Sequence, residues 1–492
     1  MRNAGLRVLV AVALCAPLTG CAELYFYFGP NGLFPPGGTG TGGTPTPNPG
    51  TGGLQNPDNT IPTTTQPAPV SPPLYRISLL DDLLEQTAGA TMITATDLDN
   101  DTVSEFASIS SQSQVVLLHI RDTAGRFQQI SVAGGLPLTR MVRIAAADVD
   151  SDGRTDLVVA VNHTGLAATS PATKVGQVVV IFAPADPRDA LSWLTVPLTN
   201  SLRQNDDLSI TDLIVRDFDN VNGPDIVFMS NEPPAMGAAT PRRFVYFFSN
   251  PGPAMARTAG AWGTPRPSVL GVLPPFIEVD APNASQIIPA DIDGDGDLDI
   301  VASFPPAESF NIRWLENPGP ANIDPNPAVA LPRWNRHFVG QQDLGANVIA
   351  LGDIDGDGDT DVAAGTSLQG LVQWFQNPGP PAVGIQDFPW QVYNVGLVAS
   401  TSLNQLHLAD LNNDGRLDVW VAGGGTMYGF FPRSGASFLD YWTPFTIANT
   451  NPVATIGFPA FLDIDGNGTT DFVVPLDRDG VNQDSFAIFA RR

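Results

Sequence analysis

The stretch from Asp291 to Asp299 (Asp-Ile-Asp-Gly-Asp-Gly-Asp-Leu-Asp) places acidic side chains at alternating positions and ends just before an apolar run. If this loop curls, its carboxylates repel one another unless a hard cation lies among them. Ca²⁺ is satisfied by oxygen ligands at the first, third, fifth and ninth positions, a backbone carbonyl near the seventh and a glycine at the sixth. Asp291, Asp293, Asp295 and Asp299 meet this requirement, with Gly296 at the turn. The stretch therefore predicts a calcium-binding loop.

The same pattern returns along the chain at intervals of roughly 50 to 75 residues. Two further copies are intact, two replace one aspartate by asparagine, and two are degraded. One degraded copy lacks the glycine, and the other has Val221 at a ligand position and its glycine one residue late. The ligands predicted in these copies are Asp97, Asp99, Asp101 and Glu105; Asp148, Asp150, Asp152 and Asp156; Asp217, Asp219 and Asp225; Asp353, Asp355, Asp357 and Asp361; Asp410, Asn412, Asp414 and Asp418; and Asp463, Asp465, Asn467 and Asp471.

Short apolar runs accompany every copy and predict the strands that must position it. One run follows the closing acid directly, as in Leu157–Val161, and a second comes ten to twenty residues later, as in Val178–Phe182. A more polar run follows, as in Arg126–Val132. The apolar run also occupies the place where a helix–loop–helix calcium site needs a bidentate glutamate, so that type of site is excluded.

The fold predicted from these elements is all-β. No sustained helical period separates the loops, and 48 glycines and 46 prolines favour short strands joined by turns. Four strands per repeat, seven times over, predict a seven-bladed β-propeller spanning residues 74–492. The last repeat ends without a fourth strand, whereas Leu74–Leu80 resembles the missing one. We therefore predict that the strand at about 74–80 pairs with the strand at about 485–490 and closes the ring.

The repeats resemble FG-GAP/VCBS repeats, which also occur in integrin α-chain heads and in many bacterial surface proteins. The resemblance is carried by the motif Asp-x-Asp-x-Asp-Gly-x-x-Asp-[Leu/Ile/Val]-Val and covers about Leu74 to Arg492. The Phe-Gly and Gly-Ala-Pro flanks of the family are not evident, so the VCBS-like branch fits better. The resemblance implies a Ca²⁺ ion between the first and second strands of each blade. We expect Ca²⁺ in five loops and leave the degraded loops at Asp97 and Asp217 open.

The N-terminus has the features of an export signal. Arg2 and Arg7 precede an apolar run, and Leu18-Thr-Gly-Cys21 resembles the lipobox of bacterial lipoproteins. The resemblance implies that residues 1–20 are cleaved and that Cys21 is acylated, which would anchor the protein to the outer membrane of the cell envelope. The alternative is an ordinary secretory signal. Residues 21–73 are rich in Gly, Pro and Thr and are predicted to form a disordered tether.

Charge and cysteine content narrow the function classes. The net charge is −26, which argues against nucleic acid or an anionic membrane surface as a partner. The only cysteines are Cys15, within the signal, and Cys21, so the folded part has no disulfide. Bound metal is then the available means of stabilising an exported chain, and a protein or polysaccharide is the expected ligand.

The sequence offers little that is suited to catalysis. The four histidines lie in different repeats, and no serine sits in a Gly-x-Ser-x-Gly turn. We therefore predict a non-enzymatic binding, adhesion or scaffolding module, with a Ca²⁺-dependent polysaccharide lyase or hydrolase as the alternative. Trp314 and Trp374 occupy equivalent strand positions and are expected to pack between blades. Trp262 lies in the longest segment between motifs and is the candidate for a recognition loop.

Overall fold

The computed structural model describes residues 23–25, 75–81, 90–110, 115–132, 140–164, 174–198, 209–232, 242–262, 266–267, 286–304, 311–319, 335–342, 345–366, 370–380, 389–398, 403–432, 442–449, 455–477 and 485–491. These residues form short β-strands and one 3₁₀ helix at Ala259–Trp262. Within them, no helix is long and apolar enough to cross a membrane. The predicted signal peptide, Cys21 and nearly all of the predicted tether lie outside the described residues.

The strands form seven antiparallel sheets, which we call blades 1 to 7 in chain order. Two strands precede blade 1, namely β1 (Glu23–Tyr25) and β2 (Tyr75–Asp81). Blades 1 to 3 consist of β3 (Met92–Thr96), β4 (Glu105–Ile109), β5 (Val116–Arg121) and β6 (Phe127–Val132); β7 (Met141–Ala147), β8 (Asp156–Thr164), β9 (Lys174–Phe182) and β10 (Leu194–Pro197); and β11 (Ser209–Arg216), β12 (Asp225–Glu232), β13 (Arg242–Phe248) and β14 (Arg266–Pro267).

Blades 4 to 6 repeat the same order of four neighbouring strands. They consist of β15 (Ile287–Ala290), β16 (Asp299–Ser303), β17 (Ile312–Glu316) and β18 (Asn335–Gly340); β19 (Val348–Gly352), β20 (Asp361–Gly365), β21 (Leu371–Gln376) and β22 (Gln391–Leu397); and β23 (Leu403–Ala409), β24 (Asp418–Gly423), β25 (Thr426–Phe431) and β26 (Thr443–Asn449). The predicted seven-bladed all-β propeller with four strands per blade is confirmed.

Blade 7 is assembled from both ends of the chain. Its inner strand is split into β27 (Thr455–Ile456) and β28 (Ala460–Leu462), followed by β29 (Asp471–Asp477) and β30 (Ser485–Arg491). Its fourth strand is β2, which pairs with β30 along its whole length, and β1 pairs with β2 on the outside. The predicted ring closure is therefore confirmed.

The core is divided among the spaces between blades. Seven clusters of buried apolar side chains are present, and each joins one blade to the next. The cluster that joins blade 7 to blade 1 contains Phe106 and Ile93 together with Val473 and Phe486. A four-stranded sheet with two apolar faces cannot bury both of them alone, so each blade depends on its two neighbours.

Candidate metal centres

Each predicted loop connects the first strand of its blade to the second, and we number the loops 1 to 7 with their blades. The closing acid is always the first residue of the second strand, such as Asp156 of β8 or Asp471 of β29. The strand that follows is apolar and buried, which fixes this residue at the rim of the interblade core. Because every loop is the same connection in a repeated unit, the seven loops lie on one face of the ring.

One hydrogen bond is common to all seven loops. The backbone N–H of the second loop residue donates to the carboxylate of the closing acid at 2.9–3.0 Å. The bond is present even in loop 1, where Glu105 replaces aspartate, and in loop 3, where Asp225 closes a degraded copy. All seven loops therefore close in the same way.

The other oxygen of the closing carboxylate ties the loop to the end of the third strand. In blades 2 to 5 it accepts the backbone N–H of Ala183, Asn250, Asn317 or Asn377 at 2.7–2.8 Å. Blade 6 has Pro432 at this position, which lacks an N–H. There the side-chain amide of Asn412 donates to Asp418 instead, at 3.3 Å. The closing acid thus holds three parts of its blade together.

The first aspartate shapes the turn of the loop. The carboxylate of Asp148 accepts the backbone N–H of Asp152 at 3.0 Å and that of Gly153 at 2.9 Å. Gly153 has a φ of 82°, a left-handed conformation that glycine adopts without a steric penalty. In loop 1 the equivalent residue is Thr102, which has a φ of 74° and donates to Asp97 in the same way. The degraded loop therefore keeps the turn despite the missing glycine.

The loops bring their carboxylate oxygens close enough to share one cation. Among the described residues, three acidic oxygens lie within 4.8 Å of one another in six groups, and five of these groups lie in loops 1 to 5. Loops 1, 4 and 5 gather the first three predicted ligands, whereas loops 2 and 3 gather the first two and the closing acid. The five groups are Asp97, Asp99 and Asp101; Asp148, Asp150 and Asp156; Asp217, Asp219 and Asp225; Asp291, Asp293 and Asp295; and Asp353, Asp355 and Asp357.

Unsatisfied oxygen atoms show that these clusters fit a cation. Buried side-chain oxygens without a hydrogen-bond partner include Oδ1 of Asp99, Asp150, Asp217 and Asn412, all at predicted ligand positions. A buried oxygen without a partner is costly, and a bound metal ion would satisfy it. Oxygen-only donor sets of this kind suit hard cations such as Ca²⁺.

Burial and charge repulsion disfavour the ionised form of the closing acids. Burial is the main cause, and it raises the pKa to about 7 for Asp156 and about 8 for Asp299 and Asp418. The neighbouring carboxylates raise these pKa values further. A divalent cation among the oxygens would favour the ionised form, which is the form that ligates metal.

Comparison with known families is consistent with these loops. A family model described as FG-GAP-like repeat matches residues 97–159, 353–421 and 410–474. Each match begins at the first aspartate of a loop and runs through the strands that follow. The chain is a seven-bladed propeller that contains FG-GAP-like repeats.

Two solved structures with low sequence identity resemble this propeller. One is an Agrocybe aegerita lectin described as recognising non-reducing terminal N-acetylglucosamine, with 14% identity and a TM-score of 0.42, covering 79% of this chain and 86% of its own. Another is the propeller of Dos1, with 10% identity and a TM-score of 0.42, covering 86% of this chain and 87% of its own. Identities this low carry no information about ligands. No curated protein matches the chain.

The propeller also contains a contact between blades that the sequence analysis did not identify. The side-chain amide of Asn250 in blade 3 donates to the carbonyl of Val149 in loop 2 at 2.9 Å. Asn317 and Asn377 make the same contact to the second residue of loops 3 and 4, at 3.1 and 2.8 Å. Each of these three asparagines begins an Asn-Pro-Gly segment, a sequence typical of a turn. The recurrence of Asn-Pro-Gly directly after the third strand was the available signal.

Three tryptophans pack between blades of the propeller. Trp314 and Trp374 are buried in the clusters that join blade 4 to 5 and blade 5 to 6, which confirms the expected packing role. Trp262 is also buried, between blades 2 and 3, and its indole N–H donates to the carbonyl of Ala256 at 2.8 Å. Trp262 therefore anchors its segment, and the expectation that it marks a recognition loop is not supported by its burial.

Two of the histidines are held neutral within the interblade core. Burial lowers the pKa of His119 to about 3 and that of His407 to about 4. His337 contacts the carboxylate of Glu316 at 2.9 Å and stacks on Trp314. The side chain of His163 lies outside the described residues. The three described histidines thus belong to three different blades, namely blades 1, 4 and 6, and each is enclosed by aromatic or polar side chains.

Proposed function

We propose that this FG-GAP propeller is a calcium-binding module that presents a binding or scaffolding surface to a protein or polysaccharide at the cell envelope. The observation that carries the calcium part is the repeated loop, with clustered carboxylates and buried ligand oxygens that have no hydrogen-bond partner. The five loops with a complete ligand set would bind Ca²⁺, and the clusters in loops 1 and 3 could bind further ions.

Calcium would act on stability because each loop sits at a junction. The closing carboxylate joins the first, second and third strands of its blade, and the next blade contacts the second loop residue in loops 2, 3 and 4. A ligand that binds the folded state alone stabilises it in proportion to the logarithm of its concentration over its dissociation constant. Calcium bound in several loops should therefore stabilise the whole ring.

Chelation tests this proposal directly. We expect the thermal unfolding midpoint of the full-length protein in excess EDTA to lie at least about 10 °C below that in millimolar Ca²⁺. Mg²⁺ at the same concentration should recover only part of the difference, because it requires tighter octahedral coordination. Identical midpoints with EDTA and with Ca²⁺ would rule out the metal role.

The envelope location and the binding role rest on the sequence features. A lipidated Cys21 followed by a Gly/Pro/Thr-rich segment would hold the propeller away from an outer membrane. The acidic side chains of the short loops would be occupied as metal ligands. A macromolecular ligand would therefore bind to other surfaces of the ring. Labelling with radioactive palmitate, with Cys21→Ser as the control, tests the anchor. Equal labelling of both proteins would exclude it.

We propose a non-catalytic role because the acidic groups are arranged around the loops and the described histidines are enclosed. A screen of the full-length protein against envelope proteins and polysaccharides, with turnover measured for every ligand bound, tests this point. Saturable binding without bond cleavage is the expected result. Reproducible Ca²⁺-dependent cleavage of a polysaccharide would overturn the proposal and establish the enzyme alternative.

A further inference from the structure

Two arginines from neighbouring blades reach the third position of an aspartate loop. The guanidinium of Arg188 in blade 2 donates to Asp99 of loop 1 at 2.6 Å. The guanidinium of Arg257 in blade 3 donates to Asp150 of loop 2, and also to Asp152 at 2.8 Å. In both cases the arginine belongs to the blade that follows the loop in the chain, so the two contacts are equivalent.

The backbone next to each arginine is held in the same way by a nearby tryptophan. Each is followed five residues later by a tryptophan, Trp193 or Trp262, which is buried between its own blade and the preceding one. Each indole N–H donates to the carbonyl of the residue just before the arginine, at 3.0 Å to Pro187 and 2.8 Å to Ala256. The tryptophan therefore fixes the backbone at the point from which the arginine side chain extends to the neighbouring loop.

The arginines satisfy only part of the acidic cluster. Asp150 is 5% exposed, and its Oδ2 is bound by Arg257 while its Oδ1 has no partner. Asp99 has the same arrangement, with Oδ2 bound by Arg188 and Oδ1 unpaired. The single positive charge of a guanidinium compensates less of the negative charge of these loops than a divalent ion would. It does place a positive charge next to the position that the ion would take.

Loops 4 and 5 lack this feature. Among the described residues, no lysine or arginine forms an ion pair with the acidic side chains of loop 4 or loop 5. Asp355, the third-position residue of loop 5, instead accepts a hydrogen bond from the neutral amide of Gln376. The carboxylates of these two loops therefore depend more strongly on an added cation.

We propose that Arg188 and Arg257 act as built-in counter-cations, which place loops 1 and 2 in a weaker Ca²⁺-affinity class than loops 4 and 5. The like charge of the guanidinium opposes a divalent ion at short range, and its hydrogen bond competes for a ligand oxygen. The same contact joins blade 1 to blade 2 and blade 2 to blade 3 without metal. These two junctions therefore stay closed at Ca²⁺ concentrations that fill loops 4 and 5 but not loops 1 and 2. This inference rests on the proposed calcium binding.

Calorimetric titration of the metal-stripped full-length protein with Ca²⁺ tests the inference. We expect at least two classes of site in the unmodified protein. Arg257→Gln should tighten one weak site by about tenfold or more, because the competing charge next to Asp150 is lost. Arg257→Lys, which keeps the charge, should keep the weak class. Arg126→Gln is the matched control, since Arg126 is exposed and its ion pair with Asp122 lies outside the loops.

Identical titrations for Arg257→Gln and Arg126→Gln would overturn the inference. If Arg257→Gln fails to fold, anomalous diffraction from crystals of the unmodified protein grown with limiting Ca²⁺ or Tb³⁺ provides the decisive measurement. Metal peaks at loops 4 and 5 that are stronger than those at loops 1 and 2 support the inference. Equal peaks at all four loops would contradict it and leave the calcium proposal intact. No metal in any loop would overturn the calcium proposal itself.

Discussion

The closing carboxylate of each loop is buried at the start of a strand, where it accepts backbone N–H groups from two parts of its blade. In loop 4, Asp299 accepts the N–H of Ile292 at 3.0 Å and that of Asn317 at 2.7 Å. Burial raises the pKa of this acid to about 8. Asp299 therefore contributes to the stability of the fold through two hydrogen bonds, and it carries a charge that a bound cation would stabilise.

We expect Asp299→Asn to destabilise the protein by about 1–3 kcal/mol and to abolish Ca²⁺ binding in loop 4. The asparagine amide keeps one oxygen as an acceptor, but its NH₂ group faces the second backbone N–H donor. That backbone N–H is then buried without a hydrogen-bond partner. Denaturant unfolding with and without Ca²⁺ measures both effects. Asp297→Asn is the control, because it makes the same charge change in the same loop at a side chain that is not a predicted ligand. Equal stabilities of the two variants would contradict the role given to Asp299.

The asparagine that follows the third strand connects neighbouring blades. The side-chain amide of Asn377 donates to Ile292 of loop 4 at 2.8 Å and to Thr360 of its own loop at 3.1 Å. We expect Asn377→Ala to cost about 2–4 kcal/mol in unfolding free energy, because two carbonyls lose their donor in a buried site. Asn394→Ala, on the exposed outer strand of the same blade, should cost less than about 1 kcal/mol. A similar loss in both variants would refute the proposed connection.

His119 makes the stability of the blade 7–blade 1 junction sensitive to pH. Its ring contacts Phe106, Phe486 and the hydroxyl of Ser108, and burial lowers its pKa to about 3. The unfolded chain takes up this proton near pH 6.5 and the folded chain does not, so stability is complete above pH 6.5 and falls as the pH decreases toward 3.

We expect this histidine to reduce stability by about 1.4 kcal/mol for each pH unit below 6.5. Denaturant unfolding of the unmodified protein and of His119→Gln should be compared between pH 7 and pH 4.5 in saturating Ca²⁺. The unfolding free energy of His119→Gln should decrease less steeply between pH 7 and pH 4.5 than that of the unmodified protein. Parallel declines would mean that His119 is not a source of the pH dependence.

At the scale of elements, strand β2 completes the ring from the other end of the chain. It pairs with β30 over seven residues, with Ile77 opposite Phe489. Ile77 is buried in the cluster between blades 6 and 7, whereas Arg76 on the other side of the strand is exposed. The strand therefore contributes both backbone pairing and apolar packing to the closure.

We expect Ile77→Ala to lower the free energy of unfolding by about 2–5 kcal/mol, as is typical when a buried isoleucine is truncated. Arg76→Ala, at the neighbouring exposed position, should change it by less than about 1 kcal/mol. Urea unfolding monitored by tryptophan fluorescence measures both variants. If the two are equally stable, the N-terminal strand does not hold the ring closed in solution.

At the scale of the whole molecule, the repeated loop gathers the acidity of the chain on one face of the ring. Each loop is bonded to its own blade through the closing acid, and loops 2, 3 and 4 are also bonded to the following blade through an asparagine. In loops 6 and 7 the following blade contributes an arginine, since Arg491 donates to Asn412 and Arg121 donates to Ile464. A metal ion bound at loop 2, 3, 4, 6 or 7 would thereby be coupled to contacts between blades.

The sequence by itself determined the loops, the strands around them and the number of blades. The predicted ligands of one loop lie within nine residues, and apolar runs of strand length follow directly, so local spacing was sufficient. The missing fourth strand and the surplus N-terminal one also fixed the ring closure, because an unpaired edge of this kind must be covered.

Only the tertiary structure decided which residues of neighbouring blades contact the loops. Asn250 reaches a carbonyl 101 residues away, and Arg257 reaches Asp150 across 107 residues. Such partners have no fixed spacing in the sequence, because the segments between repeats differ in length. The burial of Trp262 was decided in the same way, since its surroundings come from two blades. Local spacing specifies what each repeat contains, and the closed ring determines which atoms of different repeats meet.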